Sequence, residues 1–120
     1  MEFGVTLPTK GDSWKLAKRA EELGFTHAWF YDSASLQADI FVAMGAAAIS
    51  TSRIKLCAGV LTPSNRLPVV AASALASLNA IAPGRIMAGY GTGFTARRTL
   101  GLPPVTLKRL EAYIRAVEGL

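Results

Sequence analysis

The sequence of 120 residues predicts an α/β fold with parallel strands, and its pattern of apolar segments carries that prediction. Four short apolar runs with strand character begin near residues 3, 27, 54 and 86, and a helical segment follows each of them. Strict alternation of strands and helices requires helical crossovers between parallel strands. Two architectures satisfy the pattern: an open doubly wound sheet, and part of a (β/α)₈ barrel, whose complete form needs about 250 residues.

The first two strand–helix units are defined by apolar runs and by residues that cap helices. The first strand covers residues 3–7, and the helix after it has an apolar stripe at three-residue intervals that ends at Leu23. The second strand covers residues 27–31, and an alanine-rich helix covers residues 40–50. The predicted caps are Asp12 or Ser13 for the first helix and Asp39 for the second.

The last two units follow the same order. The third strand covers residues 54–61, and its helix covers residues 68–81, with Pro68 at the first helical position. The fourth strand covers residues 85–90, and the last helix covers residues 106–118. The apolar residues expected to share the buried face of that helix are Leu107, Leu110, Ile114 and Val117.

Composition excludes several classes of protein. About half of the residues are apolar and 18% are charged, which is typical of a globular chain. The 13 basic and 8 acidic residues give a net charge of +5, but the basic residues are scattered, so we expect no nucleic-acid partner. No apolar run reaches the roughly 18 residues of a membrane span, and no secretory signal is visible at the start. We therefore expect a cytoplasmic protein without a membrane partner.

Candidate site residues lie at the carboxyl ends of the strands, where both architectures collect ligands. Asp32 follows the second strand and would either accept a hydrogen bond from a ligand or cap the next turn. The glycine-rich stretch Gly91-Thr92-Gly93 follows the fourth strand, but it matches neither the dinucleotide fingerprint nor a Walker loop. It would serve either as backbone under a flat ring or as a plain tight turn.

Side chains for acid–base or nucleophilic catalysis are scarce. His27 is the only histidine and begins the second strand, at the end opposite the presumed site. Cys57 is the only cysteine and lies within the third strand, so an internal disulfide and a multi-cysteine metal site are both excluded. We assign no catalytic residue and no metal ligand. This scarcity suits a site in which a bound cofactor carries the reaction.

Four segments of the chain resemble the bacterial luciferase-like oxidoreductases, a (β/α)₈ family that uses FMN or the deazaflavin coenzyme F420. The segments are residues 3–8 (FGVTLP), 17–25 with 28–33 (AKRAEELGF and AWFYDS), 51–60 (TSRIKLCAGV) and 79–93 (NAIAPGRIMAGYGTG). The resemblance runs over essentially all 120 residues. It implies that residues 1–120 are one partial domain, the first four units of the barrel.

The resemblance also implies the cofactor-binding residues. Asp32 would match the acid that contacts the cofactor after the second strand. Gly59-Val60 would match a bulge in the third strand that carries a non-proline cis peptide, with the trans form as the alternative for a chain without cofactor. Gly91, Thr92 and Gly93 would match the loop that borders the cofactor.

Three positions depart from the family pattern. Many members carry Arg-His-Pro where this chain has Arg66-Leu67-Pro68. Sugar-oxidising members carry a histidine and a glutamate where this chain has Ser33 and Phe94, which argues against their proton-transfer chemistry.

The leading prediction is a flavin- or deazaflavin-dependent oxidoreductase with a small-molecule substrate, inactive as this 120-residue piece. One alternative is a non-catalytic half-barrel that self-associates through its open strand edges, and we expect a homo-oligomer. Another alternative is a small domain that binds a phosphate or nucleotide at Gly91-Thr92-Gly93.

Overall fold

The computed structural model describes residues 1–120 as four strands and five helices. Every element with predicted bounds is present and differs from the prediction by at most one residue at an end. The short helix α4 was not predicted. The elements are β1 (Gly4–Leu7), α1 (Ser13–Glu22), β2 (His27–Phe30), α2 (Ile40–Ser50), β3 (Lys55–Leu61), α3 (Pro68–Ile81), β4 (Ile86–Tyr90), α4 (Phe94–Arg98) and α5 (Leu107–Glu118).

The four strands form one parallel sheet in the order β1-β2-β3-β4. Each strand therefore pairs with the next one in the chain. A doubly wound sheet has a point at which the strand order reverses, and this sheet has none. The topology is that of four consecutive units of a (β/α)₈ barrel, and β1 and β4 are its free edges.

The helices cover one face of the sheet, and the core lies between them. Alternate strand residues such as Phe30, Leu56 and Ala58 are fully buried there against Ile40 and Met44 of α2. The alanine-rich composition of α2 lets it approach its neighbours closely, as predicted. None of the helices is long and apolar enough to cross a membrane.

Two helices bury their predicted apolar faces only in part: Ala17 and Ala20 of α1 and Val117 of α5 are buried as predicted. In α1 the last buried side chain is Glu21, and Leu23 is 59% exposed. In α5 the buried residues are Tyr113 and Val117, while Leu107 is 77% exposed. Leu23 follows the last residue of α1. The buried face of α5 includes Tyr113, whose hydroxyl donates to the carbonyl oxygen of Arg66 at 3.0 Å, a contact that hydrophobic periodicity does not specify.

Of the predicted caps, Asp39 is present at α2 and Asp12 is absent at α1. Asp39 caps α2 as predicted, accepting hydrogen bonds from the backbone N–H groups of Phe41 and Val42. Asp12 makes no side-chain cap to α1. The hydroxyl of Ser13 instead accepts a hydrogen bond from Lys10 N at 2.8 Å and donates one to the carbonyl oxygen of Pro8. Ser13 therefore closes the loop before α1.

A buried carboxylate holds the start of β3. Glu21 accepts hydrogen bonds from three consecutive backbone N–H groups, those of Ser52, Arg53 and Ile54, at 2.8–3.2 Å. The Arg53 guanidinium in turn donates to the carbonyl oxygen of Glu21 at 2.8 Å. Burial raises the pKa of the Glu21 carboxyl, but the three N–H groups and the Arg53 charge outweigh it, so the pKa lies below its ordinary value.

Arg85 binds the carbonyl oxygens of the same segment. Its guanidinium donates to the carbonyl oxygens of Ala48, Thr51 and Ile54 at 3.0–3.2 Å and to the Thr51 hydroxyl at 2.9 Å. The carbonyl oxygens at the end of α2 have no partner within the helix, so this cation satisfies them. Glu21 and Arg85 thus fix the turn between α2 and β3.

We predict that Glu21→Gln lowers the free energy of unfolding by about 1–3 kcal/mol, because an amide cannot accept from all three N–H groups. Glu22→Gln is the control, since Glu22 is exposed and pairs only with the exposed Arg19 at 3.3 Å. Urea unfolding at pH 7 measures both. Equal stabilities of the two variants would contradict the prediction.

The lowered pKa of Glu21 makes its contribution depend on pH. It is fully present above the unfolded-state pKa of about 4.5 and is lost as the pH falls through the lower folded-state value. Urea unfolding between pH 7 and pH 3 should therefore show the gap between wild type and Glu21→Gln shrinking at the acid end.

Candidate functional site

The carboxyl ends of β2 and β3 and the first residues of α4 surround an open cleft of about 200 Å³. Apolar and hydroxyl-bearing side chains form most of its wall, and one carboxylate stands among them. The lining residues are Tyr31, Asp32, Ser33, Gly59, Val60, Thr62, Phe94, Thr95 and Ala96. Another, larger hollow of about 400 Å³ lies on the outer surface of α5, away from the strand ends.

The structure brings three of the six predicted site residues into the cleft wall. These are Asp32, Gly59 and Val60. Gly91, Thr92 and Gly93 lie beside the cleft, in the connection from β4 to α4, and do not line it. Their role in cofactor binding stays a prediction.

The bulge predicted in β3 is present. Ala58 pairs with Ala88 and Leu61 pairs with Tyr90, so Gly59 and Val60 together face the single residue Gly89. The peptide bond between Gly59 and Val60 is cis, the form that the resemblance implied.

Packing within the protein accounts for the glycines at this edge of the sheet. A Cβ atom at Gly59 would lie 2.8 Å from Cε3 of Trp29, and one at Gly91 would lie 2.5 Å from Cγ2 of Val60. Gly93 has a positive φ of 82°, and a Cβ there would lie 2.2 Å from Cγ2 of Thr62. The missing side chains therefore make room for Trp29, Val60 and Thr62.

Asp32 is almost completely buried, and its carboxylate has fixed partners. Arg66 Nη1 donates to Oδ2 at 2.8 Å, and Asn65 Nδ2 donates to the same oxygen at 3.3 Å. Asn65 Nδ2 also donates to the main-chain oxygen of Asp32 at 3.2 Å. Both side chains use Oδ2, which leaves Oδ1 as the acceptor available at the cleft wall.

Arg66 is the residue that the sequence argument missed. Its Nη2 donates to Asp39 Oδ2 at 3.1 Å, and its guanidinium carbon lies 4.6 Å from the ring centre of Phe41. Burial lowers the pKa of Arg66, but the two carboxylates outweigh it and raise that pKa above its ordinary value. The sequence signal was the Arg66-Leu67-Pro68 motif, which drew attention only for its departure from the family pattern.

The contact with Arg66 also lowers the pKa of the Asp39 carboxyl. Burial raises the pKa of its carboxyl, whereas the N–H groups of Val42 and Phe41 and the Arg66 guanidinium lower it. The net pKa is below the ordinary aspartate value, so Asp39 stays ionised while it caps α2.

Thr9 fixes the end of β2 beside Asp32. Its hydroxyl donates to the carbonyl oxygen of Tyr31 and accepts from the N–H of Tyr31, both at 2.8 Å. The backbone N–H of Thr9 donates to Gln37 Oε1 at 2.9 Å. Thr9 therefore extends the pairing of β1 and β2 beyond the last paired residues and sets the position of the cleft wall.

The other candidate chemical groups lie elsewhere. His27 is at the amino end of β2, where its Nδ1 lies 2.8 Å from the Thr26 hydroxyl. Cys57 is fully buried, and burial raises the pKa of its thiol to about 11, so it is a neutral core residue. No three His, Cys, Asp or Glu side chains come close enough to hold a metal ion together.

Comparisons with known proteins agree with this geometry. The family model described as luciferase-like monooxygenase matches residues 1–120. The 5,10-methylenetetrahydromethanopterin reductase of Methanopyrus kandleri is 36% identical over 107 residues, which are 86% of this chain and 30% of that protein. An F420-dependent glucose-6-phosphate dehydrogenase of Beutenbergia cavernae is 48% identical over 62 residues, which are 50% of this chain and 18% of that protein.

A solved structure shows the likeness in three dimensions. The coenzyme F420 dependent tetrahydromethanopterin reductase from Methanopyrus kandleri superposes with a TM-score of 0.79 at 29% sequence identity. The match covers 98% of this chain and 38% of that chain. This protein therefore spans about a third of the length of the relatives that it matches.

We predict that Gly91→Ala destabilises the protein by about 1–3 kcal/mol, because the new Cβ would lie 2.5 Å from Val60 Cγ2. Val60→Ala in the same chain should restore most of that loss. Gly11→Ala is the control, since a Cβ at position 11 meets nothing within 4 Å. Urea unfolding of the four proteins measures the effect. A Gly91→Ala variant as stable as Gly11→Ala would show that Val60 does not occupy this space.

Proposed function

Because this chain belongs to the luciferase-like monooxygenase family, we propose that it forms half of the cofactor-binding barrel of an oxidoreductase. The proposed cofactor is the deazaflavin coenzyme F420, with FMN as the alternative. When bound, such a cofactor supplies the hydride chemistry. The residues of this chain bind and orient it.

The observation that carries the proposal is a single carboxylate in the wall of a cleft that is otherwise lined by apolar and hydroxyl-bearing residues. Asp32 Oδ1 accepts no hydrogen bond within the protein, and Arg66 and Asn65 occupy Oδ2. Val60 and Tyr31 line the same cleft and are both 42% exposed. A surface with exposed apolar and aromatic side chains and one fixed carboxylate oxygen suits a flat ring system that has hydrogen-bond donors along its edge.

The shape of the cleft fits part of such a ligand. Its volume of about 200 Å³ is below the roughly 300–1,000 Å³ typical of small-molecule sites. The cleft can therefore enclose one end of a cofactor, and the hydroxyl-bearing residues Ser33, Thr62 and Thr95 are among those that line it. We propose that residues 1–120 are a partial domain and are inactive as they stand.

Relatives support F420 over FMN. Two of the similar proteins described above are named for their dependence on F420, and one of them shares 48% identity over half of this chain. This support concerns the cofactor class only.

The substrate is proposed to be a small molecule that accepts or gives a hydride without proton transfer from this half of the site. Ser33 and Phe94 line the cleft where sugar-oxidising members have a histidine and a glutamate. Neither side chain can act as an acid or base near neutral pH.

The buried free thiol of Cys57 suits a reducing compartment, and the cytoplasm remains the proposed location.

A second candidate function is self-association of a non-catalytic half-barrel. The free edges of β1 and β4 favour it, since each presents unpaired backbone groups. Light scattering of the purified chain over a hundredfold range of concentration tests it, with a dimer or larger species as the expected result. A monomer throughout would remove this candidate and the proposed homo-oligomer.

The phosphate-binding alternative has less support. The N–H of Gly91 donates to the carbonyl oxygen of Leu61 at 3.0 Å, and the carbonyl oxygen of Thr92 accepts from Val105 N at 3.0 Å. The fold therefore already uses one of the three N–H groups of the Gly91-Thr92-Gly93 turn, and the turn lacks the lysine of a Walker loop.

We predict that F420 binds to the protein with a change in its fluorescence and that FMN binds more weakly. Asp32→Asn should weaken F420 binding by about tenfold or more, because the amide replaces a charged acceptor. Asp12→Asn is the matched control, since Asp12 is exposed and its side chain caps nothing. Fluorescence titration measures all three proteins.

The outcomes of this titration decide which cofactor binds and whether Asp32 contacts it. Tighter binding of FMN than of F420 would transfer the proposal to FMN. Binding of neither cofactor would overturn the proposed function. Equal affinity of Asp32→Asn and Asp12→Asn for F420 would remove Asp32 from the site.

A further inference from the structure

We propose that Arg66 is a positioning residue that fixes the carboxylate of Asp32 so that Oδ1 faces the cofactor cleft. This inference rests on the proposed function for its role in binding. Arg66 does not line the cleft, whereas Asp32 does. Arg66 would therefore act through Asp32 and not by touching the ligand.

The contacts of Arg66 define one orientation of Asp32. Its Nη1 binds Oδ2 of Asp32 at 2.8 Å, and its Nη2 binds Oδ2 of Asp39 at 3.1 Å. The guanidinium is planar, so two anchored nitrogens and the ring of Phe41 at 4.6 Å fix both its position and its tilt. Oδ2 is thereby occupied, and Oδ1 remains for a ligand.

The surroundings of Arg66 make this contact strong. The side chain is only 15% exposed and that of Asp32 only 4%, so the ion pair is largely shielded from water. The main-chain oxygen of Arg66 accepts a hydrogen bond from the Tyr113 hydroxyl at 3.0 Å, which ties the loop to α5. The residue that holds Asp32 is therefore itself held by separate elements of the fold.

Arg66 also closes the loop between β2 and α2. Its two carboxylate partners stand at the ends of that loop, Asp32 after β2 and Asp39 before α2. A lysine has one ammonium group and cannot form the same planar bridge between two fixed carboxylates. The structure thus assigns to arginine, and not merely to a positive charge, the task of placing Asp32.

The binding experiment is a double-mutant cycle with coenzyme F420 as the probe. We expect Arg66→Met to weaken F420 binding by about tenfold to a hundredfold, which is the range for hydrogen bonds to charged groups. In the Asp32→Asn background the same substitution should have no further effect. Arg66→Lys should recover less than half of the lost affinity on a logarithmic scale. Arg115→Met is the control, because Arg115 pairs with Glu111 at 2.8 Å on the exposed surface.

A second measurement needs no cofactor. Three-bond NMR couplings report the χ1 rotamer of Asp32, which we expect to be single in the wild type and averaged in Arg66→Met. If Arg66→Met does not fold, Asp39→Asn replaces it, because asparagine still caps α2 but loses the charged anchor of Arg66. We expect that variant to show partial averaging and a severalfold weaker binding of F420.

The two measurements separate the possible failures. If the wild type binds neither F420 nor FMN, the proposed function is wrong, and the couplings alone decide whether Arg66 positions Asp32. An unchanged Asp32 rotamer in a folded Arg66→Met or Asp39→Asn variant would overturn the positioning role. Additive losses of affinity in the cycle would also overturn it, because Arg66 would then act independently of Asp32.

Discussion

The turn from α2 into β3 depends on two charges of opposite sign, a buried carboxylate and a half-buried guanidinium, and their contacts connect all four strand–helix units. Glu21 reaches it from α1 and accepts its N–H groups, whereas Arg85 reaches it from the start of β4 and binds its carbonyl oxygens. Thr51 and Ile54 of this turn are buried, so their peptide groups need partners within the protein. The side chains of Glu21 and Arg85 supply those partners, and each of them also sets the position of the unit that carries it.

An arginine also binds several oxygen acceptors at the carboxyl end of the sheet, where one of the acceptors lines the cleft. Arg66 bridges two carboxylates there, as Arg85 gathers carbonyl oxygens at the amino end. At the amino end every oxygen of the Glu21 carboxylate is used by the fold, so the interaction serves stability alone. At the carboxyl end Asp32 keeps one oxygen for the cleft. This difference follows the division of (β/α)₈ barrels into a face for stability and a face for ligands.

The shape of the cleft comes from contacts between neighbouring strands. The bulge in β3 places Val60 over the backbone of β4, and Gly91 lacks a side chain where Val60 needs the space. Trp29 of β2 fills the space beside Gly59 in the same way. The glycines that the sequence suggested as backbone under a flat ring are therefore required by packing, and the large exposed side chains that line the cleft are Tyr31, Val60 and Phe94.

The sequence by itself determined the alternation of strands and helices, the bounds of nearly every element, and Asp32 as a strand-end carboxylate. These features depend on local periodicity, helix caps and proline or glycine positions, which are written in short stretches of chain. The consecutive strand order, the partnership of Asp32 with Arg66 and the burial of Glu21 were decided only by the tertiary structure. The paired strand residues are 23 to 30 positions apart, and the two carboxylates meet partners more than 30 positions away. No local pattern specifies which distant group a strand or a buried carboxylate will meet.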